Sequence, residues 1–268
     1  MRKYSLTCML VIFFSCSALI AQNQKRGWTE WTKKDALNIL NKSPWGQTQV
    51  DTDTSEIVYT PTTQAGAGDS SSRREQGATN QATSVTYRIR WLSARPIRAA
   101  LARQVELDTG TMTEQLRFFA EGPSEKRVVI AVTFEANDQR FGAKVMQAFN
   151  SANIGVLKNT TYLERKDGKR IFLQEYVPPQ QNSLGAAMFI FPRTVDERPL
   201  LDEQSGSVRF HSEYEQKTTL DTTVSRAGQI STTTRIAGVS NQPENPYKFR
   251  LDMKFKTAEM VLNGQLEY

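Results

Sequence analysis

Hydrophobic and polar positions alternate with two different periods along this chain, and the changes of period mark out its elements. Thr32-Lys33-Lys34-Asp35 has capping-box spacing, with Asp35 in the place usually held by Glu or Gln. Ala36, Leu37 and Leu40 then recur at helical spacing, with Ile39 beside them. Ser43-Pro44 stops that helix, because proline disfavours helical geometry in the residue before it. A strand is predicted around Gln47 to Tyr59. Val85, Tyr87, Ile89 and Trp91 alternate with polar residues and read as a half-buried strand. Ser93 is placed to cap a helix over Ala94 to Glu106, with Ile97, Leu101 and Val105 as its buried stripe. A second short helix is expected near Met112 to Phe119. Val128 to Phe134 is apolar and β-branched, as an interior strand requires. Asp138 can cap a further helix carrying Phe141, Val145, Ala148 and Phe149 on one face.

After that helix the period shortens to two. Asp167-Gly168 predicts a two-residue hairpin turn between strands Thr160–Arg165 and Arg170–Val177, ended by Pro178-Pro179. Ala186 to Phe191 is another apolar strand. Val208, Phe210, Ser212 and Tyr214 alternate with charged or polar neighbours, and so do Phe249, Leu251, Met253 and Phe255. The polar stretch Thr218 to Pro246 fits a long loop or a poorly packed hairpin, and Val261 to Leu266 offers a last strand around Asn263-Gly264. The expected fold is α+β: a short N-terminal helix, a mixed α/β middle segment and an antiparallel, β-rich C-terminal half. Residues 22–60 form the N-terminal helix and strand. Residues 61–84 form a flexible linker or loop, since Ala65-Gly66-Ala67-Gly68-Asp69-Ser70-Ser71-Ser72 has too little apolar content to order itself. Residues 85–268 form the globular part, as one unit or with a sub-boundary near Ser151.

The first 21 residues change the picture of where the protein works. Arg2 and Lys3 precede an apolar run through Phe14, and small residues follow, which is the layout of a secretory signal peptide (1–21) cleaved after Ala21. An uncleaved anchor and lipidation at Cys16 are the alternatives. Cleavage would take both cysteines with it and lower the net charge of +6 by two. No thiol chemistry and no membrane span would then remain. The residual basicity is too weak to point to nucleic acid. A periplasmic or extracellular location follows.

Candidate chemistry is sparse. His211 is the single histidine of the 268 residues, so a serine triad would need it. Its neighbour Ser212 points to the opposite strand face, and no Gly-x-Ser-x-Gly elbow exists. His211, Glu213 and Glu215 share a face and could chelate a metal, although a solvated polar face accounts for them as well. Glu135, Asp138, Glu164 and Glu175 supply carboxylates for hydrolysis without histidine. No cofactor is expected. Arg88, Arg90, Arg95, Arg98 and Arg103 run without an intervening acid, so they are candidates for binding an anion. Trp28, Trp31 and Trp45 bracket the first helix, either as an aromatic docking surface or as anchors to the core.

The block Gly27-Trp28-Thr29-Glu30-Trp31-Thr32-Lys33-Lys34-Asp35-Ala36, followed by Ser43-Pro44-Trp45, resembles the opening of a group of uncharacterised exported bacterial proteins. Tyr87 to Ala102, with Arg-x-Arg-Trp and then Arg-Pro-Ile-Arg-Ala-Ala-Leu-Ala, is similar to their next block. The resemblance implies export and a shared fold, and it transfers no functional residue. Taken together, these features favour a non-catalytic envelope or secreted protein that binds or assembles. Its partner would be another envelope protein or an anionic surface. A carrier of a small apolar ligand between sheet and helices is the first alternative, and a carboxylate-dependent hydrolase the second.

Overall fold

A computed structural model describes residues 27–53, 82–123, 126–202, 205–215, 219–224, 230–235 and 248–268. The signal segment, the two cysteines and nearly all of the 61–84 stretch lie outside the described residues. The architecture is α+β. Helix α1 (Lys33–Lys42) leads into strand β1 (Gly46–Asp53), then β2 (Thr83–Trp91), helix α2 (Arg95–Thr109) and helix α3 (Glu114–Glu121). Strand β3 (Arg127–Ala136), helix α4 (Gln139–Ser151) and the one-turn α5 (Ile154–Leu157) follow. Then come the short strands β4 (Thr161–Arg165), β5 (Arg170–Phe172), β6 (Glu175–Val177), β7 (Ala187–Pro192), β8 (Thr194–Val195) and β9 (Arg198–Pro199). The last strands are β10 (Val208–Glu215), β11 (Thr219–Val224), β12 (Ile230–Arg235), β13 (Lys248–Phe255), β14 (Val261–Leu262) and β15 (Gln265–Leu266).

Two antiparallel sheets carry the core. The first has the order β1-β2-β3-β7-β6, the second β13-β10-β4-β5. β3 is interior, as its apolar run predicts, with β2 and β7 on its two sides. Period-two alternation puts Tyr87, Ile89 and Trp91 on one face of the first sheet, and Phe210, Leu251 and Phe255 on one face of the second. These faces meet. Phe189 lies edge-on to Phe210 at 5.2 Å, and Trp91 to Phe255 at 5.6 Å. At one end Phe149 of α4 stacks on Phe134 and on Phe249 at 5.7 and 4.5 Å. Nearly all the buried apolar residues form one cluster. The first sheet takes strands from both sides of Ser151, so the chain returns to it after contributing to the second.

Gln49 stitches the sheet edges together. Its Nε2 donates to the carbonyl of Arg250 at 2.7 Å, and its Oε1 accepts from the amide of Asp252 at 2.9 Å. One side chain thus supplies the pair of bonds that a neighbouring strand would give to β13.

Local chemistry departs from the sequence reading at several points. Ser93 does not cap α2; its hydroxyl accepts from the amide of Val129 at 3.2 Å, and the N-cap position is Ala94. The buried side of α2 is built from Pro96, Ile97, Arg98, Ala99, Ala100 and Ala102, while Val105 is exposed. Small residues there let α2 approach its neighbours closely. The caps of α1 by Thr32 and of α4 by Asp138 are as expected. Residues 170–177 do not form one strand: β5 pairs with β4 in the second sheet, and β6 crosses to pair with β7 in the first. The Asp167-Gly168 turn is not a two-residue primed turn, because only Gly168 has a positive φ (83°). The amide of Gly168 bonds the carbonyl of Arg165, giving a type I turn closed by a glycine bulge. A primed turn occurs at Asn263-Gly264, where φ is 52° and 79°, and it makes β14 and β15 a minimal hairpin instead of one strand. The polar stretch after Glu215 contains the β11–β12 hairpin. No helix among the described residues is long and apolar enough to cross a membrane.

Candidate binding face

The arginines singled out in the sequence are engaged by the protein's own acceptors, and Arg90, Arg98 and Arg103 turn inward. Arg90 donates from Nε to the carbonyl of Leu40 at 3.0 Å, and from Nη2 to Oδ1 of Asn41 at 2.8 Å. Arg98 is buried, and its two Nη atoms donate to the carbonyls of Phe119 and Gly122, both at 2.9 Å. Both therefore satisfy carbonyls at helix C-termini that have no partner within the helix, those of α1 and α3. Burial, and next the nearby charge of Arg88, lower the Arg90 guanidinium to about 10, so it stays charged at neutral pH. Arg103 donates to the Trp31 carbonyl at 2.7 Å and pairs with Glu106 at 2.6 Å. Arg88 pairs with Glu135, and Arg95 with the buried carboxylate of Glu267 at 2.9 Å.

The tryptophans divide. Trp31 and Trp45 are buried, and Trp45 Nε1 donates to the Glu267 carbonyl at 2.8 Å. Trp28 is half-buried against the core and donates to Glu121 at 3.0 Å. The resembling block Ser43-Pro44-Trp45 thus has a structural task. Ser43 Oγ donates to the Ile39 carbonyl and accepts from the amides of Trp45 and Gly46, which turns the chain from α1 into β1.

The candidate carboxylates work separately. Glu135 pairs with Arg88, Asp138 caps α4, Glu164 pairs with Arg170 and Glu175 with Arg127. Ser212 faces the core and shares a hydrogen bond with Thr161 at 2.8 Å, on the opposite side of β10 from His211. Glu215 pairs with Lys248 across the ladder, away from His211. Among the described residues, no three His, Cys, Asp or Glu side chains gather closely enough to hold a metal ion.

His211 belongs instead to an arrangement that the sequence alone did not reveal, on the outer face of the second sheet. Registers of β13, β10, β4 and β5 align two neighbouring rows across all four strands. One row reads Asp252, His211, Tyr162, Phe172. The next reads Lys254, Arg209, Glu164, Arg170. Tyr162 stacks with His211 at 4.9 Å and meets Phe172 edge-on at 5.8 Å. The Arg170 guanidinium lies 4.4 Å from the centre of the Tyr162 ring and bonds Glu164 at 2.8 Å, so it is held in place by two contacts. Arg209 makes a forked hydrogen bond to Asp252, and His211 Nδ1 stands 3.6 Å from the same carboxylate. Arg209 is the main reason the Asp252 carboxyl is held below the ordinary carboxylate range. Phe172 is 46% exposed, unusual for a ring in a sheet strand.

The face is therefore pre-organised, flat and amphipathic. Alternation already placed His211 on the polar side of its strand, but register decides which rings it meets, and register is not written in any one strand. The chain matches no protein family, no curated protein and no solved structure.

Proposed function

We propose that this is an exported, non-catalytic protein of the bacterial envelope or its surroundings, a binding or assembly module that engages a protein partner through the outer face of the second sheet. The observation that supports this reading is the aromatic row Tyr162–Phe172 beside the arginine row, held rigid by its own cross-strand contacts. Tyr, Phe and Arg are the residue types that dominate protein interfaces. Side chains already fixed lose little entropy on binding. The apolar-carrier reading has less support, since the rings of Tyr87, Phe149, Phe249 and Tyr214 occupy the space where α4 meets the two sheets. Export rests on the signal-like segment 1–21.

The test is site-specific photo-crosslinking in the intact producing cell. A photoreactive residue at Phe172 is expected to give one discrete protein adduct, and the same residue at exposed Val50 of β1 none. Equal labelling at both positions, or no adduct at Phe172, overturns the assignment of the face. Retention of Met1–Ala21 in the intact mass overturns export.

A further inference from the structure

On the other side of the β4–β5 hairpin lies a cleft of about 290 Å³, between its turn and the turn joining β8 to β9. Alternation separates it from the aromatic face: Glu164, Arg170 and Phe172 point outward, whereas Arg165 and Ile171 turn toward the cleft. Arg165, Lys169 and Arg198 line it, together with Asp167 and Asp196, and Ile171, Val195 and Leu200 complete its wall. Three cations face two carboxylates, which leaves one positive charge in excess. Lys169 is held 2.6 Å from Asp196, and one Nη of Arg165 lies 3.2 Å from Asp167. The Nε of Arg165 is buried and has no hydrogen-bond partner. A buried guanidinium N–H without an acceptor costs on the order of 1–3 kcal/mol, so an acceptor at this place is favoured. Asp196 and Glu197 both adopt left-handed backbone, with φ of 52° and 63°, which gives the β8–β9 turn the tight form that brings Asp196 to Lys169.

We propose that this cleft binds an oxyanion group, a phosphate or carboxylate on a small molecule, through the guanidinium groups of Arg165 and Arg198. Guanidinium forks match two oxygens of such a group, and Lys169 supplies a point charge beside them. The volume holds an anion of a few heavy atoms with a short apolar portion against Ile171 and Leu200. The site goes beyond the partner face proposed above and is independent of it.

The experiment is a titration of the full exported chain with inorganic pyrophosphate and, separately, with citrate, followed through backbone amide shifts. Saturable shifts confined to residues 165–171 and 194–200 are expected with at least one of the two. A response to pyrophosphate alone assigns phosphate ligands, a response to citrate alone assigns carboxylates, and both together assign the shared oxyanion chemistry. Arg198→Gln, at an exposed position, is expected to weaken binding about tenfold, and Arg165→Lys by a similar factor because lysine keeps the charge but loses the fork. Lys248→Gln, at the opposite end of the second sheet from Arg165, should change nothing. Absence of a saturable shift with either probe overturns the proposal. So does binding that Arg198→Gln leaves intact, or that Lys248→Gln weakens equally.

Discussion

The protein uses arginine in two opposite ways. At the Trp91 end of the first sheet, Arg90, Arg98 and Arg103 reach backbone carbonyls of Leu40, Phe119 and Trp31, and they behave as struts. On the second sheet, Arg170 and Arg209 stay at the surface, each holding a carboxylate, beside a row of aromatic rings. The difference comes from what surrounds the guanidinium. Helix ends expose carbonyls that have no partner, and where three helices pack together water cannot supply one, so a planar group with five donors is drawn in. A flat sheet face has every backbone group already paired in its ladder. Its arginines find only side chains and solvent, which leaves them available to a partner. Density of arginine in the sequence is therefore a poor guide to binding, and the acceptors nearby are a better one.

The sharpest way to break the strut region is at Gly46. A Cβ there would lie 2.3 Å from the Leu40 carbonyl oxygen, the same oxygen that Arg90 holds. Because the obstacle is backbone, Gly46→Ala is expected to destabilise the protein by about 3 kcal/mol or more, read from urea midpoints. Arg98→Ala comes next. It strands the partly buried carbonyls of Phe119 and Gly122 and should cost about 2 kcal/mol. Partner crosslinking at Phe172 should survive in the folded fraction. A loss of crosslinking without loss of stability would show that the arginine run itself carries recognition.

The local elements of both regions could be read from the sequence, the division between their arginines could not, and the limit of that reading is physical. Capping by Thr32 and Asp138 is local, within one turn, so residue type and spacing suffice to find it. The alternation of β10 was legible for the same reason, and it placed Ser212 and His211 on opposite faces. Where a side chain's partner lies far along the chain, the sequence gives no warning. Ser93 looked like a cap and became an acceptor for Val129, and Gln49 looked like an ordinary strand residue and became a clasp on β13. The aromatic row needs three registers at once. Its members are separated by up to 90 positions, from Tyr162 to Asp252, and no local pattern joins them.

The surface region responds to pH where the struts do not. The Asp252 carboxyl is held below its ordinary value first by the Arg209 hydrogen bond. A carboxyl with a depressed value in the folded state stabilises that state above its unfolded value of about 3.9, and the contribution disappears as pH falls through the folded value. Wild type should therefore be more stable than Asp252→Asn near neutrality, and the gap should close on acidification below about pH 4. A gap that persists in strong acid would mean that the Asp252 side chain acts through packing and not through charge.

The smallest expected change in stability carries the largest consequence for function. Phe172 is 46% exposed, sits in the edge strand β5 and meets Tyr162 only edge-on. Phe172→Ser removes little buried area, so the shift in stability should be within about 0.5 kcal/mol. Tyr162→Ala costs more, about 1 kcal/mol, since its ring supports both His211 and Arg170. Both should reduce crosslinking from a photoreactive residue at Lys254, which lies in the adjoining row on the far strand. If the face is a docking surface, Phe172→Ser separates recognition from folding: partner capture falls while the urea midpoint stays. If capture at Lys254 is unaffected by either substitution, the exposed ring is only the edge of a sheet, and the contrast between the two sets of arginines is one of packing alone.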